Sequence, residues 1–177
     1  MFQRILVAVD RDPAMAQQVL AEAMAVASTQ SAVLKIVHVL YPLRSGYPDP
    51  MYMTMDGAFS AVNLQNFEVY VASWEELKKN SQESLNQQVE VAQAAGITAE
   101  SAQLIGEPGR EICSLAQAWE ADLIVLGRRG MKGLGEFLLG SVSSYVMHRA
   151  PCAVLIVQGE SPAPSPAQGD SSAAVPA

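Results

Sequence analysis

Residues 121 to 144 read ADLIVLGRRGMKGLGEFLLGSVSS, and the order of features in this stretch decides the fold. An unbroken apolar run ends in a glycine, a basic glycine-rich loop follows, and a short apolar helix then opens. A run without polar alternation is what a strand covered on both faces of a parallel sheet requires, because helices bury both of its sides. The same succession recurs along the chain. ILVAV (Ile5 to Val9) is a buried strand ended by Asp10, and Asp12 with Pro13 supplies an N-cap followed by proline at the first helical position. Ala16, Val19, Leu20, Ala23 and Ala27 then repeat at helical spacing, which predicts a helix to about Thr29. VLKIVHVL (Val33 to Leu40) is the second buried strand.

A long helix is predicted from Glu68 to Ala95, striped by Leu77, Leu85, Val89 and Ala92 and stopped by Gly96. ITAESAQLI (Ile97 to Ile105) alternates more and carries Glu100 and Gln103, as an edge strand should. GEPGREICSLAQAW opens a third helix with Pro108 near its start and Ile112, Leu115 and Ala116 facing inward. DLIVLG is the fourth strand, the segment from about Leu139 to His148 is a fourth helix, and Pro151 introduces CAVLIVQ as the fifth strand. Strands alternating with helices predict an α/β fold: an open, five-stranded parallel sheet with right-handed crossovers and helices on both faces. Such sheets bind ligands outside the carboxyl ends of their strands, where neighbouring connections diverge to opposite faces. Asp10 and the glycine loop both fall at such ends.

Composition narrows the function. The chain has 177 residues with 50% apolar side chains, enough for one core, and a formal net charge of -7. Binding nucleic acid by phosphate attraction needs surplus Lys and Arg, so the acidic balance argues against it. No apolar run approaches the roughly 20 residues that span a bilayer, and FQRILVAV is too short for a signal peptide. The expected location is the cytoplasm, with no membrane partner. Cys113 and Cys152 lack metal-binding spacing and read as buried free thiols. Residues 41–67, rich in Pro, Gly, Tyr and Met, read as an insertion, either a lid with Met51, Met53 and Met55 as adaptable contacts or a linker. Residues 159–177 are Pro, Ala and Ser without core-forming side chains, and disorder is expected there. The domain is therefore expected over residues 1–158.

The loop is where the chemistry lies. It fails the P-loop pattern because no Lys follows a correctly spaced glycine, and it fails the dinucleotide pattern because Leu138 stands where a third glycine is needed. What remains is Gly127, Gly130 and Gly140, with Ser141 and Ser143 at the mouth of a helix. Glycines let backbone approach a ligand closely, and the free amides of a helix N-terminus favour an anion. That combination cradles phosphate, with Arg128, Arg129 and Lys132 either adding charge or forming a solvated face.

The stretch GRRGMKGLGEFLLGS fits Gly, two residues, Gly, nine residues, Gly, Ser, and so resembles the nucleotide-binding pattern of the universal stress protein family. The resemblance runs over residues 3 to 157 and includes VHV, GEPGREI, ADLIVLG and HRAPCAVLIV. It implies strand order 3-2-1-4-5, the Rossmann-like architecture of adenine nucleotide alpha hydrolases, dimerisation, and ATP or AMP as ligand. By matching position, Asp10 and Val39 would hold the adenosine, with Ala8 and Val9 flanking it. Leu126, Gly127, Arg129 and Gly130 would pass along the ribose and phosphates, and Gly140, Ser141, Val142 and Ser143 would hold the phosphate chain. A bound triphosphate would bring Mg²⁺. A function as a nucleotide-responsive stress dimer with a regulatory protein partner is expected, the alternatives being a slow ATPase, a self-phosphorylating protein or a ligand-free interaction module.

No residue is assigned a catalytic role. Ser141 has no histidine in evident reach, His38 reads as a hydrogen-bonded structural residue, and His148 suits the negative end of its helix. Asp10 can also cap a turn before Pro13, but its place at the carboxyl end of the strand favours ligand contact. The fifth strand, a sheet edge in the implied order, is uniformly apolar, so a symmetric dimer through residues 152–158 is expected.

Overall fold

The structure, a computed structural model, describes residues 1–42, 61–128 and 140–158, with residues 61–67 described by their backbone. Five strands and four helices alternate: β1 (Arg4–Ala8), α1 (Pro13–Ser28), β2 (Val33–Leu40), α2 (Ala61–Ala94), β3 (Ala99–Ile105), α3 (Pro108–Ala118), β4 (Leu123–Arg128), α4 (Ser141–Arg149) and β5 (Ala153–Gln158). All strand pairs are parallel, in the order β3-β2-β1-β4-β5. Both the sheet type and the order agree with the sequence reading. Strand and helix ends shift by one or two residues, except at the start of α2.

The pleat divides the core in two. Alternate side chains of the central strands point to opposite faces, so Ile5 and Val7 of β1 join Leu123 and Val125 of β4 under α1 and α2. Leu6 and Ala8 join Ile124 and Leu126 under α3 and α4, where Ile112, Ala116 and Val146 close the layer. Both β1 and β4 are central and almost fully buried, which explains why each reads as an unbroken apolar run. The connections after β1 and β2 cross one face and those after β3 and β4 cross the other. The carboxyl ends of β1 and β4 therefore flank the switch point of the sheet.

Local signals place the helices. Asp12 accepts a hydrogen bond from the Ala14 amide (3.0 Å) and Pro13 opens α1, which satisfies a donor that would otherwise lack a partner. At α3 the segment Gly106-Glu107-Pro108-Gly109 has a role for each residue. Gly106 takes a positive φ of 152°, Glu107 caps the helix through the amides of Gly109 and Arg110, and Pro108 starts it. Gly109 is buried against Tyr145, where an added Cβ would lie 2.8 Å from the ring. This contact seats α4 on α3. At the opposite, amino end of the strands, the Asp122 carboxylate accepts from the amides of Gln3 (2.8 Å) and Arg4 (2.9 Å), and these bonds hold its pKa below the usual carboxylate value.

The start of α2 corrects the sequence reading. The helix begins at Ala61 rather than Glu68, so residues 61–67 belong to it and not to the insertion. Its lower half packs on the sheet: Gln93 Nε2 donates to the Ala99 carbonyl at the start of β3, and Gln103 Nε2 donates to the Lys78 carbonyl near its end. Residues before about Leu77 extend past the strand ends, where there is no sheet to bury an apolar stripe against. At 1.5 Å per residue this overhang is roughly 24 Å long. Tyr70 and Trp74 form an edge-to-face pair within it, their ring centroids 6.4 Å apart. The remainder of the expected insertion, residues 43–60, lies outside the described residues, as does the expected tail from 159 to 177.

Both cysteines are free, as expected, but half-buried rather than buried. Burial is the main cause that raises each thiol pKa, so both stay protonated and unreactive near neutrality. Among the described residues no helix is long and apolar enough to cross a membrane.

Candidate functional site

At the switch point the strands open into a cleft of about 360 Å³. Ala8, Val9 and Asp10 form its floor at the end of β1, Leu126 and Gly127 its side at the end of β4, and Val39 its far wall on β2. Gly140, Ser141, Val142 and Ser143 close the remaining side at the start of α4. These residues, named from separate parts of the sequence, all line one cavity. Arg129 and Gly130, together with Lys132, Gly133 and Gly135, lie outside the described residues.

The α4 side can hold an anion. The helix ladder starts with the Ser144 amide donating to the Gly140 carbonyl (2.8 Å), which leaves the amides of Ser141, Val142 and Ser143 without acceptors inside the helix. Aligned peptide dipoles add the equivalent of about half a positive charge there. Gly140 is the N-cap, with φ -56° and ψ 153°, and supplies no side-chain oxygen to occupy those amides. The Ser143 hydroxyl is 2% exposed and turns back to the Gly140 carbonyl at 3.3 Å, which fixes the entry angle of the chain. Ser141 stays exposed at the rim. His148 and Arg149 occupy the last turn, at the negative end of the dipole.

Gly127 has a packing role that the sequence did not reveal. A Cβ there would meet Met15 of α1 at 2.5–2.6 Å and Val19 at 3.2 Å, so the missing side chain lets α1 close over the end of β4. Arg128 ends β4 beside Gln158 and is not among the lining residues. Within the described lining no Lys or Arg occurs, and the anion-holding character comes from backbone dipoles.

Among the described residues five more line the cleft: Val37, His38, Tyr41, Pro108 and Ile112. Sequence reasoning gave none of them a place here. Val37 is recoverable as the β2 neighbour of Val39 on the same face; Pro108 and Ile112 come from α3, which only tertiary packing brings over the sheet.

His38 sits at the end of β2 and its Nδ1 is 2.6 Å from the hydroxyl of buried Ser81 on α2, in agreement with its reading as a hydrogen-bonded histidine. Burial lowers its pKa, with Asp10 raising it and Arg11 lowering it to smaller extents. The neutral ring is thus the folded form at pH 7. The unfolded chain takes up this proton near pH 6.5 and the folded chain only at lower pH, so the stability it confers is complete above about pH 6.5 and declines as pH falls. We expect the urea midpoint to fall between about pH 6.5 and 5, and His38→Asn to flatten that part of the profile. An unchanged slope in the variant would assign the titration elsewhere.

The profile of the universal stress protein family matches residues 1–158. The chain belongs to this family. A universal stress protein from Synechocystis, Sll1388, is 40% identical over 161 residues, covering 89% of this chain and 98% of the relative. Among solved structures, the hypothetical protein MJ0577 superposes with a TM-score of 0.70 at 20% identity, covering 90% of this chain and 98% of the other; at that identity it shows the shared fold. A universal stress protein solved in complex with cAMP superposes with a TM-score of 0.56 at 25% identity, covering 89% and 97%. The parallel sheet and its strand order are thus those of a universal stress protein.

Proposed function

We infer that this universal stress protein binds an adenine nucleotide, AMP or ATP, in the β1–β4 cleft and acts in the cytosol through nucleotide-dependent changes of shape or partner. The observation that carries this reading is the meeting of two unlike surfaces in one cavity. The free amides at the start of α4 and the Ser141 hydroxyl suit phosphate, while Ala8, Val9, Val39 and Leu126 offer an apolar slot for a base. Asp10, at the end of β1, is placed to accept from ribose hydroxyls. A volume of about 360 Å³ lies within the range of small-molecule sites. The related protein solved with cAMP supports the same ligand class. ATP would enter with Mg²⁺ on its phosphates, and Arg129 and Gly130 would complete the loop around them.

Calorimetry with AMP, ADP, ATP and cyclic AMP tests the reading. Saturable binding of at least one is expected, and no heat from any of them would overturn it. A phosphate-release assay on the ATP complex separates a binding protein, which we expect, from a slow ATPase.

The edge strand β5 bears on assembly. Val154, Leu155, Ile156 and Val157 are only half-buried, and among the described residues β5 pairs with β4 alone. An apolar edge with unpaired backbone groups invites a second copy, and a two-fold axis beside residues 152–158 would pair the strands of two protomers. Sedimentation at micromolar concentration is expected to give about twice the chain mass of 18.9 kDa, and Ile156→Arg to return the monomer. A monomeric wild type would remove the dimer.

A further inference from the structure

On the face of the sheet covered by α1 and α2 lies a second cavity, of about 500 Å³, whose lining shares Val9, Asp10 and His38 with the cleft. Its α1 wall runs from Pro13 to Leu20 and its α2 wall from Leu77 to Val91. Both helices start at the carboxyl end of the sheet, so the groove descends between them away from the cleft. Ala16, Leu20, Leu77 and Leu85 make an apolar floor, while Asn80, Ser84, Gln87 and Gln88 give one wall neutral amides and a hydroxyl. Among the described residues, Gln88 Oε1 in that wall is buried without a hydrogen-bond partner, and the amide nitrogen of the same side chain reaches Ser84 Oγ at 3.5 Å. A donor brought by a ligand would satisfy this buried acceptor.

The position of this groove relative to a nucleotide follows from the sheet, given the reading of the cleft as an adenine-nucleotide site, on which this inference rests. Phosphate is held at the start of α4, beside β4. Val37, His38 and Val39 stand on β2, two strands away, which at about 4.8 Å per strand is roughly 10 Å. That is the distance from phosphate to base in an extended nucleotide, so the base lies at the β2 end, against the wall shared with the groove. We propose that the groove between α1 and α2 receives a substituent carried on the adenine base. The ligands it favours are adenine nucleotides whose base bears an apolar chain ending in an N–H or O–H donor. The donor faces Gln88, which lies seven residues, or about 10 Å along the helix, beyond the residue that holds His38, Ser81. The chain covers the apolar floor, and the rim formed by Asp10 and His38 marks where base and substituent join.

The test is calorimetry on the full chain with three probes: AMP, AMP carrying a 6-aminohexyl chain on the exocyclic amine of adenine, and AMP carrying the same chain on carbon 8 of the ring. At least one derivative is expected to bind as tightly as AMP or more tightly. Ser84→Trp and Gln87→Trp, at exposed positions on the groove wall, fill it from the rim without touching the nucleotide cleft. Each is expected to weaken the favoured derivative about tenfold or more and to leave AMP unchanged. Both derivatives binding more weakly than AMP, or a favoured derivative indifferent to both tryptophans, would overturn the proposal while leaving the nucleotide reading intact. A folded protein that binds no AMP fails the nucleotide reading itself, and this inference with it.

Discussion

Gly140→Val is expected to lower AMP affinity about a hundredfold while the domain stays folded. The two effects separate because Gly140 contributes little to packing and much to access. Its φ and ψ suit valine, and among the described residues an added Cβ would meet only the Ser143 hydroxyl, at 3.3 Å. Valine is a poorer N-cap than glycine, which costs up to about 1 kcal/mol and lowers the melting temperature by about 2–4 °C. The new methyl groups, however, stand over the amides of Ser141, Val142 and Ser143. Two hydrogen bonds to a charged phosphate at about 1.5 kcal/mol each amount to about 3 kcal/mol, which is the hundredfold. Calorimetry and a thermal melt on the same sample decide it. Wild-type affinity in a folded variant would show that phosphate does not approach this helix.

Gly109→Val is expected to have the larger effect on stability. The added Cβ would sit 2.8–3.0 Å from the ring and Cβ of Tyr145, and neither α3 nor α4 can retreat without opening the layer around Ile112 and Val146. Overpacking of this kind costs about 1–3 kcal/mol, and the melting temperature should drop by several degrees. Because Tyr145 shares α4 with Ser141 and Ser143, AMP affinity should fall as well. Combining Gly109→Val with Tyr145→Ala removes the clash, so the double variant should be less destabilised than the sum of the single variants. Simple additivity would mean that the Gly109–Tyr145 contact does not set the position of α4.

How much of this was legible beforehand depended on how local the cause was. Ile5 to Val9 and Leu123 to Leu126 announced two-sided burial by composition alone, and Asp12 with Pro13 announced a helix start, because each signal lies within a few residues of its effect. The glycine and serine spacing from Gly127 to Ser141 marked both ends of a loop whose ends do meet in one cleft. Where a cause lay in another part of the chain, the sequence was silent. Gly127 was read for its ligand-facing backbone, whereas the structure adds its contact with Met15, more than a hundred residues away. Pro108 and Ile112 line the cleft because α3 packs across β2, and no local pattern carries that information. The start of α2 escapes a reading by apolar stripe for a different reason: a helix that leaves the sheet behind needs none.

That overhang gives α2 a mechanical gearing. Its lower half is clamped to β2 and β3 through Ser81, Lys78 and Gln93, and Ala61 stands at the tip of an arm roughly 24 Å long. With the pivot at Ser81, roughly 30 Å along the helix from Ala61, a tilt of about 5° moves the tip by about 2.6 Å, while Ser81 itself, bonded to His38 in the cleft wall, barely shifts. Any tilt of α2 about that contact would therefore be largest at Ala61 and smallest at the cleft wall.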